Sequence, residues 1–223
     1  MTKEKTKKLY SVITGDIVKS SKLSLDKHKQ LIKVMRSCSK DISKVFPAAL
    51  KYAPELFRGD SWQLLVQKPE LALSIALFYR AYLRAKMQLD SLNERMAISV
   101  GTVDLVESSF GIGDAYKISG KALDKKGKRK IKFVSDIILN ADVIDLIILN
   151  SDFISSRWTS KQCKIVLLAL QNLDQKAIAT KLRITQSAVS QQMDAAGWIV
   201  VAENLVYFKN AVLSASNNVK TKK

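Results

Sequence analysis

Residue types that build common metal and nucleophilic sites are scarce in this chain of 223 residues, which has one histidine and two cysteines. His28 lies on the polar side of a predicted helix without a second histidine, so zinc chemistry and a Ser-His-Asp triad are not expected. Cys38 and Cys163 lie far apart in apolar helical patterns, which favours a reducing, cytoplasmic location. The sequence has no G-x-x-x-x-G-K-S/T phosphate loop, and GIGDAY at 111–116 lacks the third glycine of a dinucleotide-binding fingerprint.

Long apolar runs are missing as well. Runs such as LALSIALFY at 71–79 fall well short of the ~20 residues that a membrane-spanning helix needs. The N-terminal MTKEKTKKLY contains no apolar signal core. We therefore expect neither a transmembrane segment nor a membrane partner.

Acidic residues are outnumbered, because 37 Lys and Arg stand against 20 Asp and Glu and give a formal charge of +17. An excess of this size favours polyanions: nucleic acid, anionic membrane or phosphorylated ligands. It is an argument about association and not about fold.

The periodicity of apolar residues in the first half predicts the order βαββαβ. This is the order of the ferredoxin-like split βαβ unit, an α+β fold with four antiparallel strands and two helices on one face. The predicted strands are 9–13, 50–57, 61–66 and 95–103, and the predicted helices are 25–46 and 70–92. A helix at 114–123 and a strand at 131–134 follow.

Two aspartates are the candidate ligand site of this domain. Asp16 follows the first strand, and Asp60 lies in the turn Gly59-Asp60 between the hairpin arms. Because the first and third strands are adjacent in this fold, the two carboxylates are expected at the same edge of the sheet. Close carboxylates repel unless a cation neutralises them, and hard oxygen ligands suit Mg²⁺.

A basic segment follows in the same predicted domain. Helical spacing places Lys117 and Lys121 on one face, and the run KKGKRKIK occupies 125–132. On the charge argument alone, a solvated surface and a phosphate-binding face are about equally supported.

The last third of the chain reads as helical. Residues 135–158 form a connector helix, and Thr159 with Gln162 has the spacing of a capping box. Residues 174–197 predict a helix-turn-helix, with helices at 175–182 and from 185. The apolar residues expected to pack the two helices together are Ile178, Leu182, Ile184, Val189 and Met193. Residues 198–208 fit either a helix or a winged hairpin, and the helical period is favoured.

The second helix of this unit predicts a DNA interface. The residues expected against base edges are Gln186, Ser187, Ser190 and Gln191, since Gln pairs with adenine and Ser serves either partner. Lys181, Arg183 and the N-cap Thr185 are expected near phosphate. DNA binding is favoured over a helical pair used for protein contacts.

Several motifs together resemble the SatD family: VITGDIVKSS, FRGDSWQLLV, ISVGTVD, GDAYKISGKALD and RWTSKQ, followed by the helix-turn-helix. The N-terminal part resembles in turn the class III nucleotide cyclase fold, in which two aspartates bind catalytic metal ions and sites form across a dimer. The resemblance implies metal binding by Asp16 and Asp60, phosphate contacts at Ile17, Val18 and Lys19, and a homodimer.

The same resemblance places Lys117 and Lys121 where cyclases carry their transition-state asparagine and arginine. Leu56 and Phe110 stand where cyclases carry base-recognising residues. These differences predict a domain that binds a nucleotide or phosphorylated ligand rather than an efficient cyclase, with Lys117 and Lys121 catalytic only in an enzyme.

The sequence thus predicts a cytoplasmic DNA-binding transcriptional regulator with a degenerate cyclase-like sensing domain. The alternatives are a metal-dependent enzyme acting on nucleoside triphosphates and a dimerisation scaffold without metal. The predicted parts are a basic tail at 1–8, the α+β domain at 9–134, the connector at 135–158, a small all-α domain at 159–213 and a second basic tail at 214–223.

Overall fold

Five strands form one sheet in the order β2-β3-β1-β4-β7 in the computed structural model, which describes residues 8–52, 55–57, 60–106, 111–125 and 127–221. A separate two-stranded ribbon pairs β5 with β6. The strands are β1 Tyr10–Ile17, β2 Glu55–Phe57, β3 Ser61–Val66, β4 Glu94–Gly101, β5 Leu105–Val106, β6 Gly111–Ile112 and β7 Ile131–Val134. The helices are α1 Leu25–Val45, α2 Ala72–Met87, α3 Asp114–Asp124, α4 Ala141–Ser155, α5 Ser160–Ala169, α6 Gln175–Leu182, α7 Gln186–Ala195 and α8 Trp198–Thr221.

The predicted α+β class and the βαββαβ order are confirmed. β1 pairs antiparallel with both β3 and β4, while β7 adds to β4 in parallel. β1 is longer than predicted and includes Asp16, because the ladders to β3 and β4 continue past Gly15 on both sides. The predicted arm 50–57 is wrong in length: β2 has three residues, and Leu50 makes only an isolated bridge with Val66.

Alternation along the strands divides the side chains between two faces. One face packs on α1 and α2 and includes Ile13, Leu64 and Ile98 in the main core. The other face is covered by α3, where Val12 and Leu65 pack near Ala115. Asp16 alternates with Val12 and so lies on the α3 face.

Helix α1 has the predicted amphipathic stripe, with Leu31, Met35, Cys38 and Ile42 buried at spacings of four and three. Ser24 caps its N-terminus by accepting from the backbone N–H of Lys27. Helix α2 ends at Met87 rather than 92, since Gln88 takes a left-handed conformation with φ 50°.

Helix α2 is also buried on nearly every side, which the apolar pattern did not predict. Arg80 and Arg84 are both 0% exposed. The Arg84 guanidinium donates to carbonyls at the end of α4 and beyond, among them those of Ser155 at 3.1 Å and Trp158 at 3.0 Å. Cationic groups at a helix C-terminus are favourable, so Arg84 ties α4 to α2. Burial lowers the pKa of this guanidinium.

The main core continues from the sheet into the C-terminal helices, with Trp158, Cys163 and Phe208 in the same buried cluster. The predicted connector is helical only over α4, and residues 198–208 belong to helix α8 rather than to a hairpin. Helix α8 runs on through most of the segment predicted as a basic tail. The domain limits at 134, 158 and 213 stay predictions.

Both cysteines are buried thiols without a disulfide. Burial raises the pKa of Cys163 to about 12 and, with the Asp41 carboxylate, raises that of Cys38. Neither thiol therefore has the thiolate character of a nucleophile at neutral pH. None of the helices in the described ranges combines the length and the hydropathy that a membrane-spanning segment requires.

Candidate functional site

The structure brings Asp16 and Asp60 to the same edge of the sheet. In the β1–β3 ladder Asp16 lies opposite Ser61, and Ser61 directly follows Asp60 in the sequence. Gly15 lets the strand lie flat against Trp62, because a Cβ at position 15 would be 2.5 Å from the indole ring. The edge is therefore built by close packing of β1 on the side chain of its neighbour.

Both carboxylates already have partners in the protein. Arg95, at the start of β4, donates from Nε to Oδ1 of Asp16 at 2.9 Å and from Nη2 to Oδ2 in a bidentate pair. The Ser20 hydroxyl donates to Oδ2 of Asp60 at 2.5 Å. The positive charge that neutralises Asp16 is thus supplied by the chain itself.

Arg95 is a residue of this edge that the sequence motifs did not indicate. Its hydrogen bonds to Asp16 raise the pKa of the guanidinium, and the carboxylates of Asp124 and Asp60 contribute in the same direction. The antiparallel pairing of β1 with β4 brings the start of β4 to the end of β1, and the register then places Arg95 opposite Asp16.

Lys132, the last residue of the basic run, lies opposite Ala97 in the β4–β7 ladder and so on the same face of the sheet as Arg95. Its ammonium donates to the carbonyl of Ala122 at the end of α3, at 3.0 Å. Burial, followed by the neighbouring charges of Arg129 and Arg95, lowers the pKa of Lys132. The Lys132 ammonium is thus a cation near Arg95 that already donates to the backbone carbonyls of Ala122 and Lys125.

A polar seam beneath α3 holds this edge in place. Gln63 donates to Oγ1 of Thr14 at 3.0 Å, and Thr14 is in turn 3.0 Å from the Ser119 hydroxyl. Ser99 donates to the carbonyl of Ala115 at 2.7 Å. Because these groups are buried and paired, they fix α3 across β1 and β4.

The three residues predicted to contact phosphate after Asp16 differ in exposure and in hydrogen bonding. Ile17 is buried, and the Val18 N–H donates to the Asn93 carbonyl at 2.8 Å. Lys19 is exposed in a left-handed conformation with φ 58°. Of the three, Lys19 has the most open side chain for an anionic ligand.

Lys117 and Lys121 are both exposed on α3. Lys117 lines a shallow depression of about 480 Å³ together with Asp104 and Asp114. Phe110 and the side chain of Leu56 lie outside the described residues.

The residues at the edge fit Mg²⁺ only after a rearrangement. Two carboxylates are suitable hard ligands, but both oxygens of Asp16 bind Arg95. Among the described residues, no three His, Cys, Asp or Glu side chains are grouped closely enough to hold a metal ion. A cation would have to compete with Arg95 for Asp16.

The second candidate surface is the helix pair α6–α7, whose bounds agree with the predicted helices. Asp174 caps α6 by accepting from the N–H of Ala177, and Thr185 caps α7 by accepting from that of Ala188. Arg183 between them is left-handed at φ 55°. A non-glycine residue in this conformation costs about 1 kcal/mol.

The helix pair encloses a small core of its own. Ile178, Ala179 and Val189 are buried with residues of α5, and Leu182 and Met193 pack against them. Ile184, predicted in this apolar set, is 41% exposed because it lies in the turn beyond α6.

Helix α7 carries polar side chains on its solvent-facing surface. Gln186, Ser187 and Gln191 are exposed and Ser190 is half-buried. Lys181, Arg183 and Thr185 are exposed beside its N-terminus. Thr185 uses its oxygen as an acceptor in the cap, so its hydroxyl hydrogen remains available to donate.

Comparison with known proteins gives limited likeness. No protein-family model matches the chain, nor does any curated protein. A structure of a bacterial light-regulated adenylyl cyclase matches at 17% identity over 56% of this chain and 42% of that one, with a TM-score of 0.39. Adenylate cyclases from Trypanosoma brucei match at 14% identity over 58% of this chain and 74% of that one, with a TM-score of 0.40. Membership of the SatD family stays a prediction.

Proposed function

We propose that the protein is a DNA-binding transcriptional regulator whose α+β part binds a phosphorylated ligand. The observation that carries the proposal is the exposed polar face of α7, formed by Ser187 and Gln191 opposite the buried Val189, with Ser190 half-buried beside it. Such a helix, supported by a second helix across a tight turn, has the form of a recognition helix for the major groove.

Charge supports the same proposal. Lys181 and Arg183 are exposed at the end of α6 and in the turn, beside the N-terminus of α7. Basic side chains and a helix N-terminus are the groups that bind DNA phosphates. Two copies of the chain would place two such helices on an operator with two half-sites.

DNA selected from a random library at low salt should separate base contacts from phosphate contacts. Gln191→Ala is expected to weaken binding to the selected site by about 5- to 150-fold while leaving random DNA unchanged. Lys181→Ala should weaken both DNAs equally and reduce the salt slope by ~1 per bound chain. Fluorescence anisotropy across a salt series measures both effects.

Lys33→Ala, an exposed lysine of α1, is the matched control and should change neither DNA. Absence of DNA binding at low salt, where phosphate attraction is strongest, would refute the proposal.

We further propose that the ligand of the α+β part is a nucleotide or phosphorylated small molecule held by Arg95, Lys132 and Lys19. A phosphate that engages Arg95 would release Asp16, which could then bind Mg²⁺ together with Asp60. This exchange makes metal and phosphate binding interdependent. Nothing among the described contacts of Lys117 and Lys121 favours the enzymatic alternative.

A thermal-shift screen tests this interdependence. Mg²⁺ alone is expected to leave the wild-type melting temperature unchanged, because Arg95 holds Asp16. Mg²⁺ with a nucleoside triphosphate should stabilise the protein, by about 2.7 kcal/mol at 100 times Kd, and Asp60→Asn should abolish the effect. In Arg95→Gln, Mg²⁺ alone should stabilise the protein.

Asp26→Asn, an exposed aspartate of α1, is the control for a general charge effect. Equal shifts in wild type and Asp60→Asn would contradict the site. A new nucleotide product found by mass analysis of the same incubations would replace the sensing role with the enzymatic one.

A further inference from the structure

A large cleft lies between one side of the α1–α2 layer and the C-terminal helices. Its volume is about 1060 Å³, and it is bounded by the end of α1, one side of α2, α5 with the loop after it, the end of α6, and α8. This size is at the upper end of small-molecule pockets. It lies away from the α3 face of the sheet, on which Asp16 lies.

The walls of the cleft are apolar. Phe78 and Tyr82 line it from α2 but are only 2% and 6% exposed, so the accessible apolar surface comes from Trp198, Leu205 and Val206 of α8. Val206 is 55% exposed, and Trp198 and Leu205 are half-buried. These side chains offer a ligand apolar surface that water covers in its absence.

The rim of the cleft is cationic. It carries Lys44, Lys86, Lys164, Lys181 and Lys209, all exposed. Among the described residues that line it, Asp41 is the one acid. Its carboxylate already accepts from the Tyr82 hydroxyl at 2.8 Å and lies 3.5 Å from the Lys44 ammonium. The remaining lysines have no acid of the cleft to neutralise them.

We propose that this cleft binds an amphipathic anion, that is, an apolar chain or ring system carrying a carboxylate or a phosphate. The apolar walls select the body of the ligand and the lysines select its charge. The chain's own termini are poor occupants, because MTKEKTKKLY and VKTKK are themselves basic. The cleft is separate from the proposed nucleotide site and from the exposed face of α7, but it shares Lys181 with the proposed DNA phosphate contacts.

Isothermal titration calorimetry with dodecanoate and dodecyl phosphate, below their micellar concentrations, distinguishes the two anion types. Saturable binding of one ligand per chain is expected, at least about tenfold tighter than binding of dodecyltrimethylammonium. Equal binding of the cationic amphiphile, or uptake that does not saturate, would overturn the proposal.

Charge reversal locates the site. Lys164→Glu/Lys209→Glu should weaken binding of the anion by about tenfold or more. Lys33→Glu/Lys40→Glu changes the net charge by the same amount on exposed positions of α1 that do not line the cleft, and should leave the affinity unchanged. Equal losses in both double variants would mean that net charge alone attracts the anion, and the proposal would fall.

Filling the cleft is the second test. Ala202, half-buried on the α8 wall, can be replaced by phenylalanine, and Ala202→Phe should abolish binding while circular dichroism confirms the fold. If instead it converts a dimer into a monomer in size-exclusion chromatography, the occupant is a second copy and the proposal is overturned. The DNA assay at α7 is evaluated separately, so loss of amphiphile binding in Ala202→Phe supports the cleft and does not test the proposed DNA function.

Discussion

Replacing Arg80 by methionine is expected to destabilise the protein by about 3–5 kcal/mol, because it leaves two buried carboxylates without their cation. Arg80 and Glu94 have side chains 0% exposed, and that of Asp152 is 7% exposed. The guanidinium donates from Nε to Glu94 and lies 3.0 Å from Oδ1 of Asp152. It also donates to the Ser155 hydroxyl at 2.5 Å.

The charge state of Arg80 follows from the same contacts. Burial by itself lowers the pKa of the guanidinium, but Glu94 and Asp152 more than compensate and raise it. Arg80 therefore remains protonated and links α2, β4 and α4 as a cation. Its removal would loosen all three elements at once.

Urea denaturation followed by circular dichroism measures the loss. Arg36→Met, an exposed arginine of α1, is the matched control and should change the free energy of unfolding by less than about 0.5 kcal/mol. The double variant Arg80→Met/Glu94→Gln should cost less than the sum of its single variants, by about 1–2 kcal/mol. A loss below about 1 kcal/mol in Arg80→Met would contradict a tightly paired network.

Trp158→Ala is expected to cost about 3–5 kcal/mol and to weaken DNA binding as well. Trp158 is 1% exposed and lies between the end of α4 and the cap of α5. Its indole N–H donates to the carbonyl of Ala196 at 2.7 Å, and its own carbonyl accepts from Arg84. Since Ala196 is the C-cap of α7, Trp158 joins the proposed recognition helix to the buried arginines of α2.

Trp158→Phe separates packing from hydrogen bonding. The phenyl ring keeps most of the buried surface but leaves the Ala196 carbonyl without its donor, at a cost of about 1–3 kcal/mol. Tyr207→Ala, a 44% exposed aromatic residue of α8, is the control. Denaturation and anisotropy on the same samples should show both losses in the order Ala, Phe, wild type. Unchanged DNA affinity in a folded Trp158→Ala protein would show that Trp158 does not position α7.

Much of the fold could be predicted from local patterns. The apolar residues Leu31, Met35, Cys38 and Ile42 predict helix α1 because they recur with the helical period and are buried along one side of it. The capping box at Thr159 and Gln162 forms as predicted, since both partners lie within one turn. The ends of the elements were less predictable. Gln88 ends α2 in a left-handed conformation, which its residue type does not predict because that conformation favours glycine.

The candidate site could be predicted only in part. The strand order alone places Asp16 beside Asp60, because the first and third strands are antiparallel neighbours in ferredoxin-like connectivity. The partner of Asp16 depends on the β1–β4 register, which places Arg95 opposite it across 79 residues of sequence. No local pattern reports that pairing.

The sequence by itself determined the order of the elements, the ends capped by short-range hydrogen bonds, and the adjacency of the two aspartates, since each follows from spacing along one or two segments. Tertiary structure decided that Arg80 and Arg84 are buried, that Arg95 forms an ion pair with Asp16, and that a cationic cleft opens between α2 and α8. The physical reason is that charge pairing and cavity shape depend on which segments, distant in sequence, come into contact. The type of a single residue does not determine those contacts.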